Sequence, residues 1–577
     1  LNARVMGVVA RDEYRIEKIL FESRPRFFVT ALLFLPDAAR FEPPYPGIII
    51  PCGHSANGKG MAGYQRGAVL AAVNGMAALL YDPIDQGERL QVEGGKFGCN
   101  GHNRTGVIAA LLGWNTATFR IWDGMRALDY LASRPEVDAK RLGCMGNSGG
   151  GTLTTYISAL DGRVVSASPS CYISSLQQVC EKIGPQDAEQ NLFGQLAFGL
   201  EHGGWLLLRA PAPTCVCAAQ KDFFPIQGTR QTVSEVRSLY ARLGAEDRIA
   251  LVENDGPHGW AETLRLAAVR WMNRWLRQQG GELVVPPETE TGLGDKESLV
   301  TEQGQVLKLP GARSVYDLMR DEAARLEAGR RGMDKQALRD AVRRCAGIRT
   351  LPELPAPDAV TKGTAPYAGG EIRRLALMQS GGLAVPAVFF KPTVPQGEAV
   401  LVVDGLGKSN AVAKVWALAS EGHPVLAADL CGFGETGGMA HKFYGAENPD
   451  EELGVMAYLL GRSLVGMRAE DILSCARWLA GACGQKKVGL QAANWAVTPA
   501  LHAAAVEPEL FSAVGLSQEP DTWGGVVSKG AYHRFSDIVH GALREYDLEV
   551  LKSVFTNGFR LAFSRRKPNN NLLHSSF

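Results

Sequence analysis

The 577-residue sequence contains no uninterrupted apolar run of the roughly 18–20 residues that would cross a bilayer, so no membrane-spanning helix is expected. It does not open with the charged-then-apolar pattern of a secretory leader. Its first residue is Leu1 rather than Met, so something upstream is expected to have been removed, either as a signal peptide or by a cloning choice; the compartment stays open, a secreted or periplasmic one being favoured. A charge excess of one sign is missing too. Lys plus Arg number 61 against 60 Asp plus Glu, a formal net charge of +1, which excludes the electrostatic footprint of a nucleic-acid or anionic-membrane binder. The 11 cysteines include no CxxC pair and no zinc-ligand spacing, so no metal and no cofactor is expected. Cys144, Cys215 and Cys217 lie in apolar runs, where a thiol acts as a small hydrophobe. Cys171 and Cys180, close together in an expected loop, are the pair with the spacing to bridge.

What is present is an ordinary globular composition, 46% hydrophobic and 21% charged, in a chain too long for one core. Tyr14 to Ser23 and Phe27 to Leu35 read as opening antiparallel strands. Short apolar runs then alternate with helical stretches. Strands are expected at Gly47–Pro51, Ala77–Tyr81, Arg141–Met145, Val164–Ser168, Thr214–Ala219 and Ile249–Glu253. Helices are expected at Ala117–Ser133, Gly150–Leu160, Thr229–Leu243 and Trp260–Gln278. That alternation predicts an α/β fold with a mostly parallel sheet flanked by helices. It reads as a first domain over residues 1–285, followed by a linker with a helical segment over 286–365, its two helices broken near Gly332. A second alternation over 366–577 has strands at Ala399–Asp404, Pro424–Asp429, Lys487–Gln491 and Ala513–Ser517. LLYDPIDQGER at Leu79–Arg89 corresponds to LAADLCGFGET at Leu426–Thr436, so the halves read as divergent copies of one design.

GNSGG at Gly146–Gly150 fits G-x-S-x-G, a string that arises easily among 66 glycines. Its context is specific: RLGCM precedes it as a strand and GTLTTYISAL follows as a helix, the strand–elbow–helix setting of an α/β-hydrolase nucleophile. The turn would lift the Ser148 hydroxyl to the carboxyl end of the sheet. A serine hydroxyl needs a base and an orienting carboxylate, and in this fold the order along the chain is Ser, acid, His. Asp222 follows the strand TCVCAAQK, and His258 follows the strand IALVE. Asp255 is the runner-up acid, and His202 the other histidine in range, without a strand before it. The oxyanion hole would take the N–H of Gly149 and a second donor, His54 or Ser55, from the loop CGHSANGKG. Asp82, Asp85, Gln86, Glu88 and Arg89 read as an ion-pair network at the same sheet edge. The long insertion from Cys171 to Leu208 reads as a lid or substrate wall. Gln186, Asp187, Glu189 and Gln190 would hydrogen-bond a polar ligand there, with Trp205 stacking on it; a solvated lid surface explains the same residues.

The runs PCGHSANGK, YDPIDQGERLQ, WDGMRALDYLASRPEVD, RLGCMGNSGGG, SPSCYI and IGPQDAEQN closely resemble bacterial α/β-hydrolases of the acetylxylan-esterase-like family, which often carry tandem hydrolase domains. The resemblance covers nearly all of residues 45–280. It implies a serine carboxylesterase of carbohydrate or other small esters, acetyl esters of xylan or a related polysaccharide, with Ser148, Asp222 and His258 at matching positions. A methyl esterase of uronic acids and a peptidase or amidase on the same triad are the alternatives. In the second half the elbow position reads Ala492-Ala493-Asn494-Trp495-Ala496, with Asn494 in place of the nucleophile. His533 and His540 lie in a polar region, and the chain ends in FSRRKPNNNLLHSSF without the strands that would complete a sheet. This copy is expected to be degenerate and inactive.

Overall fold

The protein is described by a computed structural model covering residues 1–577 apart from 93, 94, 96, 331, 332, 380, 381, 439–448, 531–533, 555–559 and 564–577. The expected break at Gly332, and His533, therefore lie outside the described residues. Two units are each compact: Leu1–Gly106 with Asn115–Met319, and Val107–Trp114 with Arg320–Phe577. Among the described residues no helix is long and apolar enough to cross a membrane.

The first unit is built on a nine-stranded sheet. Its strands are β1 (Arg4–Ala10), β2 (Tyr14–Arg24), β3 (Phe27–Pro36), β4 (Tyr45–Pro51), β5 (Ala77–Tyr81), β6 (Val137–Asn147), β7 (Val164–Ser170), β8 (Thr214–Lys221) and β9 (Ile249–Pro257), in the order β1-β2-β3-β5-β4-β6-β7-β8-β9. β1, β2, β3 and β5 pair antiparallel in turn, and from β5 to β9 every pairing is parallel. β3, β4 and β5 are buried at every position, as continuous apolar runs must be when helices cover both faces. β1 was not legible in the sequence because RVMGVVA lies largely exposed at the sheet edge, held by pairing with β2 rather than by burial. The helix Cys99–Leu111, rich in Gly, Asn and His, gave no apolar periodicity either.

The second unit has eight strands: β10 (Asp358–Tyr367), β11 (Gly370–Met378), β12 (Ala384–Pro392), β13 (Val400–Asp404), β14 (Val425–Ala428), β15 (Val488–Ala493), β16 (Phe511–Leu516) and β17 (Arg560–Phe563). Their order, β10-β11-β12-β14-β13-β15-β16-β17, repeats the first eight positions of the first sheet, with the same change from antiparallel to parallel pairing. One expectation is corrected here: β17 pairs parallel to β16, so a closing strand exists near the chain's end. It was missed because RLAF is only four residues long.

The repeat extends to an ion triad. In the first unit Lys59 Nζ donates to Asp82 Oδ2 (2.7 Å) and Glu88 Oε2 (2.5 Å). In the second, Lys408 Nζ donates to Asp429 Oδ2 (2.6 Å) and also pairs with Glu435. Gly87 (φ 54°) and Gly434 (φ 53°) take the left-handed backbone beside these aspartates, where a Cβ would collide with the carboxylate. The environments differ. The Glu88 side chain is 1% exposed and receives the backbone N–H groups of Val300 and Thr301, while that of Glu435 is 68% exposed. The stretch that reads as a free linker thus packs as part of the first unit, with Leu293 N–H also donating to Gln65.

A cation removed from two buried carboxylates leaves uncompensated charge. Lys59→Ala is expected to destabilise the first unit by about 3–5 kcal/mol. Lys408→Ala should cost the second unit less, about 1–2 kcal/mol, because water solvates Glu435. Urea titration of the two variants, followed by proteolysis patterns that separate the units, measures the difference.

Candidate active site

β6 ends at Asn147, and Ser148 turns the chain into the helix Gly149–Leu160 with φ 60° and ψ −126°. A serine holds that conformation only where its surroundings dictate it. Here the Ser148 N–H donates to Ser170 O of β7 (2.9 Å), and Thr152 N–H donates to Ser148 O (2.9 Å). The glycine after Gly149 is a steric requirement: a Cβ at Gly150 would overlap the carbonyl oxygen of Pro51, at the end of β4. The first N–H groups of the following helix have no intrahelical partner and carry its positive end.

The structure brings Ser148, His258 and Asp222 together from the ends of β6, β9 and β8. Ser148 Oγ lies 2.9 Å from His258 Nε2. His258 Nδ1 lies 2.9 Å from both carboxylate oxygens of Asp222. With Nδ1–H donating to the carboxylate, Nε2 is left with its lone pair toward the serine. Asp222 is buried and also accepts from Phe224 N–H (3.1 Å); the Phe223 ring stacks 4.3 Å from the imidazole. The runners-up sit elsewhere. Asp255 forms an exposed pair with Lys221 (2.8 Å). His202 is fully buried, its Nδ1 accepting Ser174 N–H (3.1 Å) with its ring against Tyr172.

The loop after β4 runs against Ser148: a Cβ at Gly53 would lie 3.2 Å from that of the serine. A Cβ at Gly149 would lie 2.9 Å from His54 Cε1. The His54 ring therefore stands over the first residue of the helix Gly149–Leu160. Ser55 Oγ turns back to Gly58 O (3.5 Å). Behind His54, the insertion contributes Asp187 and Glu189, each with an oxygen 3.1 Å from His54 Nε2. His102, on the helix Cys99–Leu111, joins them with Nδ1 3.0 Å from Asp187 Oδ2, and Arg120 pairs with Glu189. Burial draws the His54 imidazole's pKa down, but the Asp187 carboxylate outweighs it and holds the group near about 10. His102 is held below its usual value by burial and by the Arg120 charge. His102 and Arg120 were not visible in the sequence, since each sits on a helix with no motif around it.

One expected contact is corrected. Trp205 is buried against Tyr156 (ring centroids 4.7 Å) and Ala117, so it packs a core rather than a ligand. Cys171 and Cys180 are free thiols; Cys171 donates to Gly259 O (3.4 Å). Gln186 and Gln190 are buried in the insertion, Gln190 Nε2 donating to Asp187 Oδ1 (3.1 Å). Among the described residues two groups gather metal-ligand atoms within 4.8 Å of one another: His54, His102, Asp187 and Glu189; and Cys171, Asp222 and His258, which is the relay with a neighbouring thiol.

Residues 11–194 match the family model of acetyl xylan esterase (AXE1). The matched stretch is acetylxylan-esterase-like. YtaP of Bacillus subtilis (strain 168), named as a hydrolase, is 29% identical over 163 residues, which are 27% of this chain and 53% of YtaP, so the chain spans about half the length of that relative. Among solved structures, methylesterase BT1017 aligns with a TM-score of 0.43 at 20% identity, covering 57% of this chain and 70% of that one. An acetyl xylan esterase from Paenibacillus sp. R4 aligns with a TM-score of 0.38 at 20% identity, covering 48% of this chain and 89% of that one.

In the second unit Asn494 keeps the elbow's backbone, with φ 55°, and its Nδ2 donates to Asp404 Oδ1 (2.8 Å). The turn persists, but the residue on it carries an amide that is no nucleophile. His540 is held to about 4 by burial and the Arg544 charge.

His202 provides a pH test away from the relay. Burial holds its folded pKa at about 4, against an unfolded value near 6.5. As pH falls through this window the unfolded chain takes up the proton first, so stability is full above about 6.5 and is lost on the way down to about 4, by about 3 kcal/mol. His202→Gln should flatten that slope in urea midpoints measured from pH 7 to 4.

Proposed function

We propose that the first unit is a serine carboxylesterase of carbohydrate esters, working through an acyl-enzyme. The observation that carries this reading is the continuous relay at hydrogen-bond distance from Ser148 through His258 to Asp222. As Ser148 Oγ attacks the ester carbonyl, His258 Nε2 takes its proton, and Asp222 stabilises the imidazolium. The developing oxyanion is met by the Gly149 N–H and by a second donor from the Cys52–Gly60 loop. Collapse expels the alcohol, which receives the proton from His258. Water then attacks the acyl carbonyl as His258 takes its proton, and His258 returns that proton to Ser148 Oγ as the acid leaves. The matched family's name makes acetyl esters of xylan or a related polysaccharide the first substrates to test. A methyl esterase of uronates would call for a free cation at the site, and the buried Arg120 is engaged by Glu189.

Ser148→Ala and Asp222→Asn should each lower kcat for a short-chain aryl acetate by about 10⁴-fold, with the protein still folded by circular dichroism. Unchanged turnover in Ser148→Ala would refute the reading. Acid release from acetylated xylan, methyl-esterified pectin and aryl esters, compared side by side, is expected to favour acetyl esters.

A further inference from the structure

The buried cluster behind the oxyanion loop has a geometry that hydrogen bonding alone explains poorly. His54 Nε2 lies 3.2 Å from His102 Nδ1 and 3.1 Å from oxygens of both Asp187 and Glu189. One N–H cannot serve three acceptors. His102 sharpens the problem. Its Nε2 lies 3.0 Å from the carbonyl oxygen of Ile84, which only accepts, so Nε2 carries the hydrogen. In the neutral ring Nδ1 is then a bare lone pair, yet it lies 3.0 Å from Asp187 Oδ2. Two acceptors at that distance need positive charge between them. The four side chains are buried or nearly so.

We propose that His54 Nε2, His102 Nδ1, Asp187 Oδ2 and Glu189 Oε1 form a tetrahedral binding site for a divalent transition cation, of which zinc is the best match. Bonds of about 2.0–2.1 Å in a tetrahedron give ligand-to-ligand edges of about 3.3–3.4 Å. The three edges from His54 Nε2 are 3.1–3.2 Å and that from His102 Nδ1 to Asp187 Oδ2 is 3.0 Å, while His102 Nδ1 approaches the Glu189 carboxylate less closely, at 3.9 Å from Oε2; the four side chains gather their ligand atoms within 4.8 Å of one another. Two imidazoles and two carboxylates suit zinc and its first-row neighbours better than calcium or magnesium, which take all-oxygen shells. The Ile84 carbonyl supplies the outer contact that fixes a ligating histidine's tautomer. Arg120 pairs with the Glu189 carboxylate and balances part of its charge from outside. With four protein ligands the site is closed and structural. It leaves no position for an activated water and instead ties the loop carrying His54 to the insertion carrying Asp187 and Glu189, beside Gly149.

The test uses the full chain. Protein stripped with a chelator and re-equilibrated with micromolar zinc should hold about one zinc per chain by mass spectrometry, with Tm raised by about 5 °C or more. Cobalt(II) in its place should give the visible absorption of a tetrahedral ion. Asp187→Asn and His102→Gln should lose both the metal and the cobalt spectrum. Folded wild-type protein that takes up no stoichiometric zinc or cobalt would overturn the assignment, whatever the variants do. Six-coordinate cobalt absorption, or metal retained in both variants, would overturn it equally. Ser148→Ala should bind the metal as the wild type does, so failure of the esterase reading and failure of this one are separable.

Discussion

Lys59 sits between Asp82 and Glu88 with all three side chains almost fully buried, and the architecture of the first unit's sheet edge depends on that arrangement. Lys59 lies in the loop after β4, Asp82 at the end of β5, and Glu88 in the turn that follows it. The same carboxylates accept N–H groups from Lys59 itself, Val300 and Thr301. A buried charge tolerates little displacement, because each lost contact leaves a desolvated ion. The triad therefore fixes the loop of His54 relative to the strands, and with it the wall that faces Ser148. Its recurrence as Lys408, Asp429 and Glu435 shows that it belongs to the common design of both units, not to the chemistry of either.

The elbow shows how scaffold and chemistry separate. Ser148 and Asn494 both take a positive φ (60° and 55°) just after the corresponding strand in two sheets of matching order. The first unit adds Asp222 and His258 on later strand ends. In the second, Asn494 spends its amide on Asp404, which secures the turn without creating a nucleophile. Backbone geometry recurs with the fold, while the proposed chemistry needs three side chains that must arrive together.

The sequence was most informative where a local rule governs the structure. The buried parallel strands β4 and β5 are legible because full burial demands uninterrupted apolar runs. The elbow is legible because its glycines meet steric limits set by neighbouring strands. β1 and β17 escaped notice because pairing, rather than pattern, holds them, and the helix Cys99–Leu111 because it shows no apolar periodicity. Trp205 misled for a related reason: an aromatic beside polar residues reads the same whether it faces a ligand or a core.

The sequence by itself determined the α/β class, the duplication, and the relay of Ser148, Asp222 and His258, since strand order constrains which strand ends can meet. Only the tertiary structure decided what surrounds Ser148. His54, His102, Arg120, Asp187 and Glu189 come from four separated segments and converge behind Gly149. No spacing along the chain encodes that convergence. It follows from where two helices and a long insertion pack, which is a property of the whole unit rather than of any stretch of sequence.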